Sequence, residues 1–294
     1  MKKAACLLLS LAIIVSLAAF ASAAVPEAAG QIAAGAYHTA WINTDGTVDA
    51  IGGYHSEYLY GQDWEDITKI TAHHQTIGIK SDGTVVIGGE GFYAKFDVTN
   101  WTDIVDVDAS ECNILGLTAS GTVVCTGDNK HGQCNVSGWT DIIDIAQGMY
   151  ASYGLRSDGT VIATGANYWG QTDVSSWTDI VSISAGNCHV IGLKTDGTVV
   201  VAGEPYWGKI DVSAWTDIQA ICSGSNHVVG LRSDGTVVAD GYDQNGECNV
   251  DQWENIVAID AGFEHTIGLT KEGTLVAVGS DRCSQCNFDI DQRH

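Results

Sequence analysis

The side chains that could do chemistry recur at regular intervals along the chain. His38, His189, His227 and His265 form one column, each three residues after a glycine. Histidine is a common metal ligand. A metal, however, needs its ligand atoms within about 2 Å, and positions a whole repeat apart are not expected to converge on one ion. Hydrogen bonding to loop backbone is the expected role of the column. Cys283-Ser284-Gln285-Cys286 is a CxxC with no second pair and no βαβ setting. That pattern reads as a local disulfide or two thiols, not as a zinc or redox site. Each Asp-Gly turn offers one carboxylate, whereas calcium needs several converging oxygens. No nucleophile elbow, phosphate loop, zincin pattern or carboxylate pair stands out. The expectation is a protein that is not an enzyme and carries no metal or cofactor.

The aromatic side chains point to recognition. Two kinds of connecting segment vary from repeat to repeat. One kind holds Phe92-Tyr93, Tyr168-Trp169 and Tyr206-Trp207; the other holds Ala36-Tyr37, His73-His74 and Met149-Tyr150. Large aromatics at loop tips are typical of interface hot spots and of sugar-stacking surfaces. The candidate partner-binding set is therefore Tyr37, His74, Phe92, Tyr93, Met149, Tyr150, Tyr168, Trp169, Tyr206 and Trp207.

The elements that must position these residues follow from an internal repeat. A turn triplet recurs at Asp45-Gly46-Thr47, Asp82-Gly83-Thr84, Ser120-Gly121-Thr122, Asp158-Gly159-Thr160, Asp196-Gly197-Thr198, Asp234-Gly235-Thr236 and Glu272-Gly273-Thr274. Trp64, Trp101, Trp139, Trp177, Trp215 and Trp253 recur on the same beat. A closed ring of seven units needs only six covalent junctions, so the missing tryptophan fits ring closure. Within the fourth unit, residues 141–146 alternate apolar and polar, as a half-buried strand does. Residues 151–155 and 160–164 read as the second and third strands, joined by a Gly-containing hairpin turn, and 171–174 as a short fourth. The expected fold is all-β: a seven-bladed β-propeller of four-stranded antiparallel blades over residues 31–294. Strand direction puts the Asp-Gly-Thr turns and tryptophans on one face and both variable loop sets on the other. The constant face carries an isoleucine column (Ile67 to Ile256) and a glycine column (Gly78 to Gly268), with the tryptophans wedged between blades. Trp41 stands where the other repeats have that glycine.

The ends and the charge bound the setting. Lys2 and Lys3, an apolar run from Ala4 to Phe20 and Ala21-Ser22-Ala23 make residues 1–23 an expected signal peptide, followed by a short lead-in, 24–30. Its cleavage would take the formal charge from −23 to −25 and the cysteines from nine to eight. An even number of cysteines in an exported chain permits disulfides of unspecified pairing. No later stretch can span a bilayer, and the acidity disfavours nucleic acid and anionic membranes. A secreted or cell-surface location is expected.

The pattern Ala-Gly-x-x-His, Gly-Leu-x-x-Asp-Gly-Thr-Val and Gly-x-Asn-x-x-Gly-Gln resembles the regulator of chromosome condensation repeat family. Gly186 to His189, Gly192 to Val199 and Gly165 to Gln171 carry the match, and the resemblance spans essentially residues 31–290. It implies a seven-bladed propeller. The namesake is a nuclear guanine-nucleotide exchange factor that binds chromatin, an activity not carried over to an acidic chain with an export signal. The short repeats look more like exported bacterial members, including a propeller that inhibits β-lactamases through aromatic-rich loops. By that resemblance the chain would be a secreted, non-catalytic module that binds an extracellular protein through its aromatic loops. A carbohydrate-binding propeller is the alternative, and a polysaccharide-active enzyme the most remote reading.

Overall fold

The computed structural model describes residues 31–53, 63–89 and 96–288. Each repeat folds into antiparallel strands in chain order, as in Ile180–Ala185, His189–Lys194 and Val199–Gly203 of the fifth. Among the described residues there are seven such three-stranded sheets. Their first strands touch one another in an unbroken cycle, with Ile256–Ala261 of the seventh meeting Ile32–Ala34 of the first. The result is an all-β, propeller-like ring whose inner wall is made of first strands.

The expected fourth strand is absent from the sheets of the described residues. Residues 171–174 and their equivalents form successive turns: Asp173 N–H donates to Gly170 and Trp177 N–H to Val174, at 3.1 and 3.0 Å. These turns consume the backbone groups that a ladder would need. Val136, Val174, Val212 and Val250 are nonetheless buried. The apolar residue read as a strand is a plug under the blade, and four residues are too few to separate the two readings.

Each tryptophan lies on the glycine of the middle strand that follows it. A Cβ at Gly192 would come within 2.8 Å of the Trp177 ring, and the same crowding runs from Gly78 with Trp64 through Gly268 with Trp253. Trp177 shares a core with Tyr153, Leu155 and Val174 of blade 4 and with Ile180 and Val190 of blade 5. It is thus the wedge between blades that its spacing suggests. The first blade has no preceding tryptophan. Trp41 fills the space from the glycine position and meets Phe288 edge-on, with centroids 6.4 Å apart, so it belongs to the seam.

The constant face is stitched through its turns. Asp158 Oδ1 accepts the Thr160 N–H and O–H at 3.0 and 2.6 Å, and Gly159 takes a φ of 80°. The Gly159 carbonyl then accepts Ile180 N–H of the next blade at 3.1 Å. Asp179, just before that isoleucine, sits at φ 62°, a left-handed conformation that Asp tolerates. The same bond recurs from Ile67 to Ile256. Among the described residues nothing lies within 4 Å of a Cβ placed at Gly273 in the seventh turn.

Closure comes instead from the inner wall. Asp260 accepts Ala34 N–H across the seam at 2.7 Å. Asp108 accepts Gln147 N–H at 2.8 Å and Asp144 accepts Ile183 N–H at 3.0 Å. Ser184 does the same for Ser223 N–H at 2.9 Å. Burial pushes these carboxyls up, Asp108 and Asp144 to about 7 and Asp260 to about 6.

The histidine column is a second set of staples. His227 meets Thr266 at 2.9 Å, His265 meets Thr39 at 3.1 Å and His38 meets Thr76 at 2.9 Å, each across a blade junction. The partner is thus a threonine of the next blade and not loop backbone as expected. His189 faces the same way, but Val228 occupies the threonine position and neither ring nitrogen has a partner. The glycine three residues earlier makes the room, since a Cβ at Gly186 or Gly262 would collide with the imidazole of His189 or His265. Burial holds all four rings neutral, His38 and His227 down to about 4 and His189 and His265 to about 3.

Candidate binding face

The loops after the third strands are pre-shaped by two side chains. Asn167 Oδ1 accepts Thr172 N–H and Gln171 Oε1 accepts Trp169 N–H, both at 2.9 Å. Gln171 is almost fully buried, and its carbonyl accepts the Tyr153 hydroxyl at 3.0 Å. The Gly-x-Asn-x-x-Gly-Gln pattern is therefore a loop brace that sets the backbone of its tip residue. Asn129 and Gln133 brace the loop of His131 in the same way. Cys125 and Cys134 are joined by a disulfide that closes this same loop. In blade 5 the brace is missing, because Pro205 and Lys209 replace the asparagine and glutamine. Tyr206 N–H is held instead by Asn226 of the next blade at 3.2 Å.

These loops place aromatic rings in a continuous arc. His131 meets Tyr150 and Tyr168, at centroid distances of 5.3 and 5.8 Å. Tyr168 meets Trp169 at 5.7 Å, and Trp169 meets Tyr206 at 4.9 Å across the junction between blades 4 and 5. Tyr206 leads to Trp207 at 6.3 Å, and Trp207 to Tyr242 of blade 6 at 6.0 Å. Tyr168 is 69% and Trp207 60% exposed, with Trp169 and Tyr206 also on the surface. Folded proteins seldom leave such large aromatics together in water without a use for them.

The other expected residues divide between a second cluster and the mouth of the ring. Tyr37 packs against His74 at 5.8 Å and Phe263 at 6.2 Å, and all three are half-buried. His74 Nε2 lies 3.9 Å from a Glu111 oxygen, and burial lowers its pKa. Met149 borders the axial cavity, while its neighbour Tyr150 joins the arc. Phe92 and Tyr93 lie outside the described residues, as do 1–30. The arc adds His131 and Tyr242 and the cluster adds Phe263, none of them in the expected set. Tyr242 escapes a reading of the sequence because it stands two residues before the loop pair Gln244-Asn245 in which variation shows. The CxxC does not form a local disulfide: the Cys286 thiol donates to the Ser280 carbonyl at 3.4 Å. Among the described residues no helix is long and apolar enough to cross a membrane.

Known proteins resemble this chain in repeat and in fold. The ectodomain of the Physcomitrella patens receptor kinase CR4 superposes with a TM-score of 0.68 at 19% identity, covering 85% of this chain and 73% of that one. The CRINKLY WD40 ectodomain of the Arabidopsis thaliana receptor kinase ACR4 gives 0.69 at 19% identity, over 85% and 94%. Prp20p from Saccharomyces cerevisiae, described with its binding to Gsp1p and histones, gives 0.64 at 17% identity, over 82% and 83%. No curated protein matches in sequence. Residues 104–133, 180–206 and 256–285 match the regulator of chromosome condensation (RCC1) repeat. In those three stretches, set in a propeller-like fold, the chain carries regulator of chromosome condensation repeats.

Proposed function

We propose that the chain is an exported, non-catalytic binding module that recognises an extracellular protein through the arc from His131 to Tyr242. The observation that carries this reading is the exposure of Tyr168, Trp169, Tyr206 and Trp207 as one surface spanning a blade junction. Buried tyrosine and tryptophan dominate the energetics of protein interfaces. A propeller of these repeats is consistent with protein binding, and Prp20p is one neighbour described by its protein partners. The rings favour a protein over a glycan. Tyr168 stands at 84° to Trp169, and Trp169 at 70° to Tyr206, so their edges and faces form notches for side chains instead of one flat platform. The export signal expected in residues 1–23 and the formal charge of −23 suit an extracellular partner of neutral or basic surface.

The test is capture of partners from conditioned medium by the wild type and by a Trp169→Ala/Trp207→Ala variant. Loss of a specific partner, with unchanged melting temperature, is expected. Equal capture by the two proteins removes the arc from the site. A glycan array that binds the wild type but not the variant transfers the same surface to carbohydrate.

A further inference from the structure

The first strands end around an axial cavity of about 80 Å³, partly open to solvent. Every repeat contributes to its wall, from Gly35 in the first to Asp260 in the seventh. That room holds a few water-sized groups, enough for one small polar headgroup entering from the open end, since a single water needs roughly 10–15 Å³. The wall is polar and carries unspent hydrogen-bonding capacity. Ser110 is only 5% exposed, and its Oγ has no hydrogen-bond partner among the described residues. Ser223 Oγ and His73 Nδ1 on the same wall have none either. Asp108 and Asp260 also line the cavity. Asp108 accepts Gln147 N–H of the next blade, Ala109 N–H and the Thr71 hydroxyl, and Asp260 accepts Ala34 and Ala261 N–H; a carboxylate has about four acceptor positions, so each keeps room for a further donor. Among the described residues no lysine or arginine lines the cavity.

We propose that this cavity binds a primary ammonium group, carried by a free alkyl amine or by a lysine side chain, with Asp108, Asp260 and Ser110 as its acceptors. An ammonium brings three N–H donors and no acceptor, which matches a wall of carboxylates and unpartnered oxygens. Anions are disfavoured, since no cationic side chain lines the wall. Calcium takes six to eight oxygens, and no group of three or more metal-binding side chains exists among the described residues. A neutral polyol would satisfy the hydroxyls and leave two buried carboxylates without a countercharge, which is costly in a low dielectric. The cavity lies on the ring axis, so this proposal stands apart from the aromatic arc.

The experiment is calorimetric titration of the full chain, backed by melting temperature, with pentane-1,5-diamine and with Nα-acetyl-lysine N-methylamide. Calcium chloride and glucose are the controls. The wild type should bind at least one ammonium probe. Asp108→Asn should weaken it about tenfold through loss of a charge-assisted bond, and Ser110→Ala about threefold. The amide introduced by Asp108→Asn keeps an oxygen for Gln147 N–H but gives up the acceptor used by Ala109 N–H and Thr71, whereas Ser110 Oγ has no partner to lose among the described residues; if Asp108→Asn does not fold, Ser110→Ala decides. Diamine binding alone identifies a free amine, and binding of the blocked lysine identifies a side chain of a partner. The Trp169→Ala/Trp207→Ala variant should bind the probes unchanged, which separates this result from that for the arc. No binding of either probe at millimolar concentration overturns the proposal. So does calcium or glucose binding that is equally sensitive at Asp108.

Discussion

Two sectors of the ring differ in how their loop face is built. From blade 6 through the seam to blade 2, side chains clamp blade to blade: His227 to Thr266, His265 to Thr39 and His38 to Thr76. Asp260 adds the bond to Ala34 N–H. Backbone bonds between neighbouring loops run through the same sector, from Ser225 N–H to Gly262, Phe263 N–H to Gly35 and Ala36 N–H to His73. From blade 3 to blade 6 the loops carry the aromatic arc, and the histidine column holds Asn113, Ala151 and the unstapled His189. One sector contains the only junction without a covalent linker among the described blades and is clamped accordingly. The other has its linkers, and its loops are left to vary. The histidine clamps and the aromatic arc thus fall largely on different blades, while the inner-wall bonds of Asp108, Asp144 and Ser184 run through the arc's sector as well.

Mutations can break that contrast, beginning with its strongest clamp. Thr39 is fully buried and bonds both His265 and the Gln285 carbonyl. Thr39→Val strands two buried groups and should cost about 3 kcal/mol in urea unfolding; a loss near zero would mean that the seam is held elsewhere. Acid should act next. The neutral histidines have folded pKa values near 3 to 4, below their unfolded value, so their contribution is present above about pH 6.5 and lost as pH falls toward 4. Asp108, Asp144 and Asp260 work oppositely, losing stability as pH rises from about 4 to 7. The imidazoles outnumber the carboxyls, so unfolding free energy should drop by about 2 kcal/mol per pH unit between 6.5 and 5. A rise on acidification would contradict the histidine clamp.

A clamp should also be transferable. Val228→Thr gives His189 the partner that its three counterparts have, and should raise stability by about 1 kcal/mol. No gain would show that the threonine hydroxyls are incidental to the junctions. The smallest effect belongs to the arc. Trp169→Ala/Trp207→Ala should change unfolding free energy by less than about 0.5 kcal/mol, as exposed positions do. A larger loss would make the arc part of the scaffold and erase the distinction between the sectors.

Much of the scaffold is legible in the residues themselves. The triplet Asp-Gly-Thr announces its own geometry, because Gly takes the positive φ and the Asp oxygen bonds the Thr two residues on. Gly192 and its counterparts announce the tryptophan that lies on them. The clamps are harder to see. The inner-wall position held by Asp108 and Asp260 is Ser184 in blade 5 and Cys222 in blade 6, so no column betrays it. What recurs is a bond to the next blade, which emerges only when the ring closes. The four residues after Gly170 mislead in the other direction, since Val174 is buried as a strand residue would be while the backbone around it turns. The arc is half legible: loop position singles out Tyr168-Trp169 and Tyr206-Trp207, but only the fold brings His131 and Tyr242 up to them.

The three-stranded blade has a consequence at the rim. The outer strand, such as Val199–Gly203, has a ladder partner on one side only. An open edge of this kind is a template for the strand of another molecule, and a ring repeats the hazard at every blade. Among the described residues the segment that follows adds no strand to that edge, yet Ile210 and Val212 join the same core as Val199. The returning chain thus gives its apolar side chains to the blade while the outermost ladder keeps one side without a strand partner.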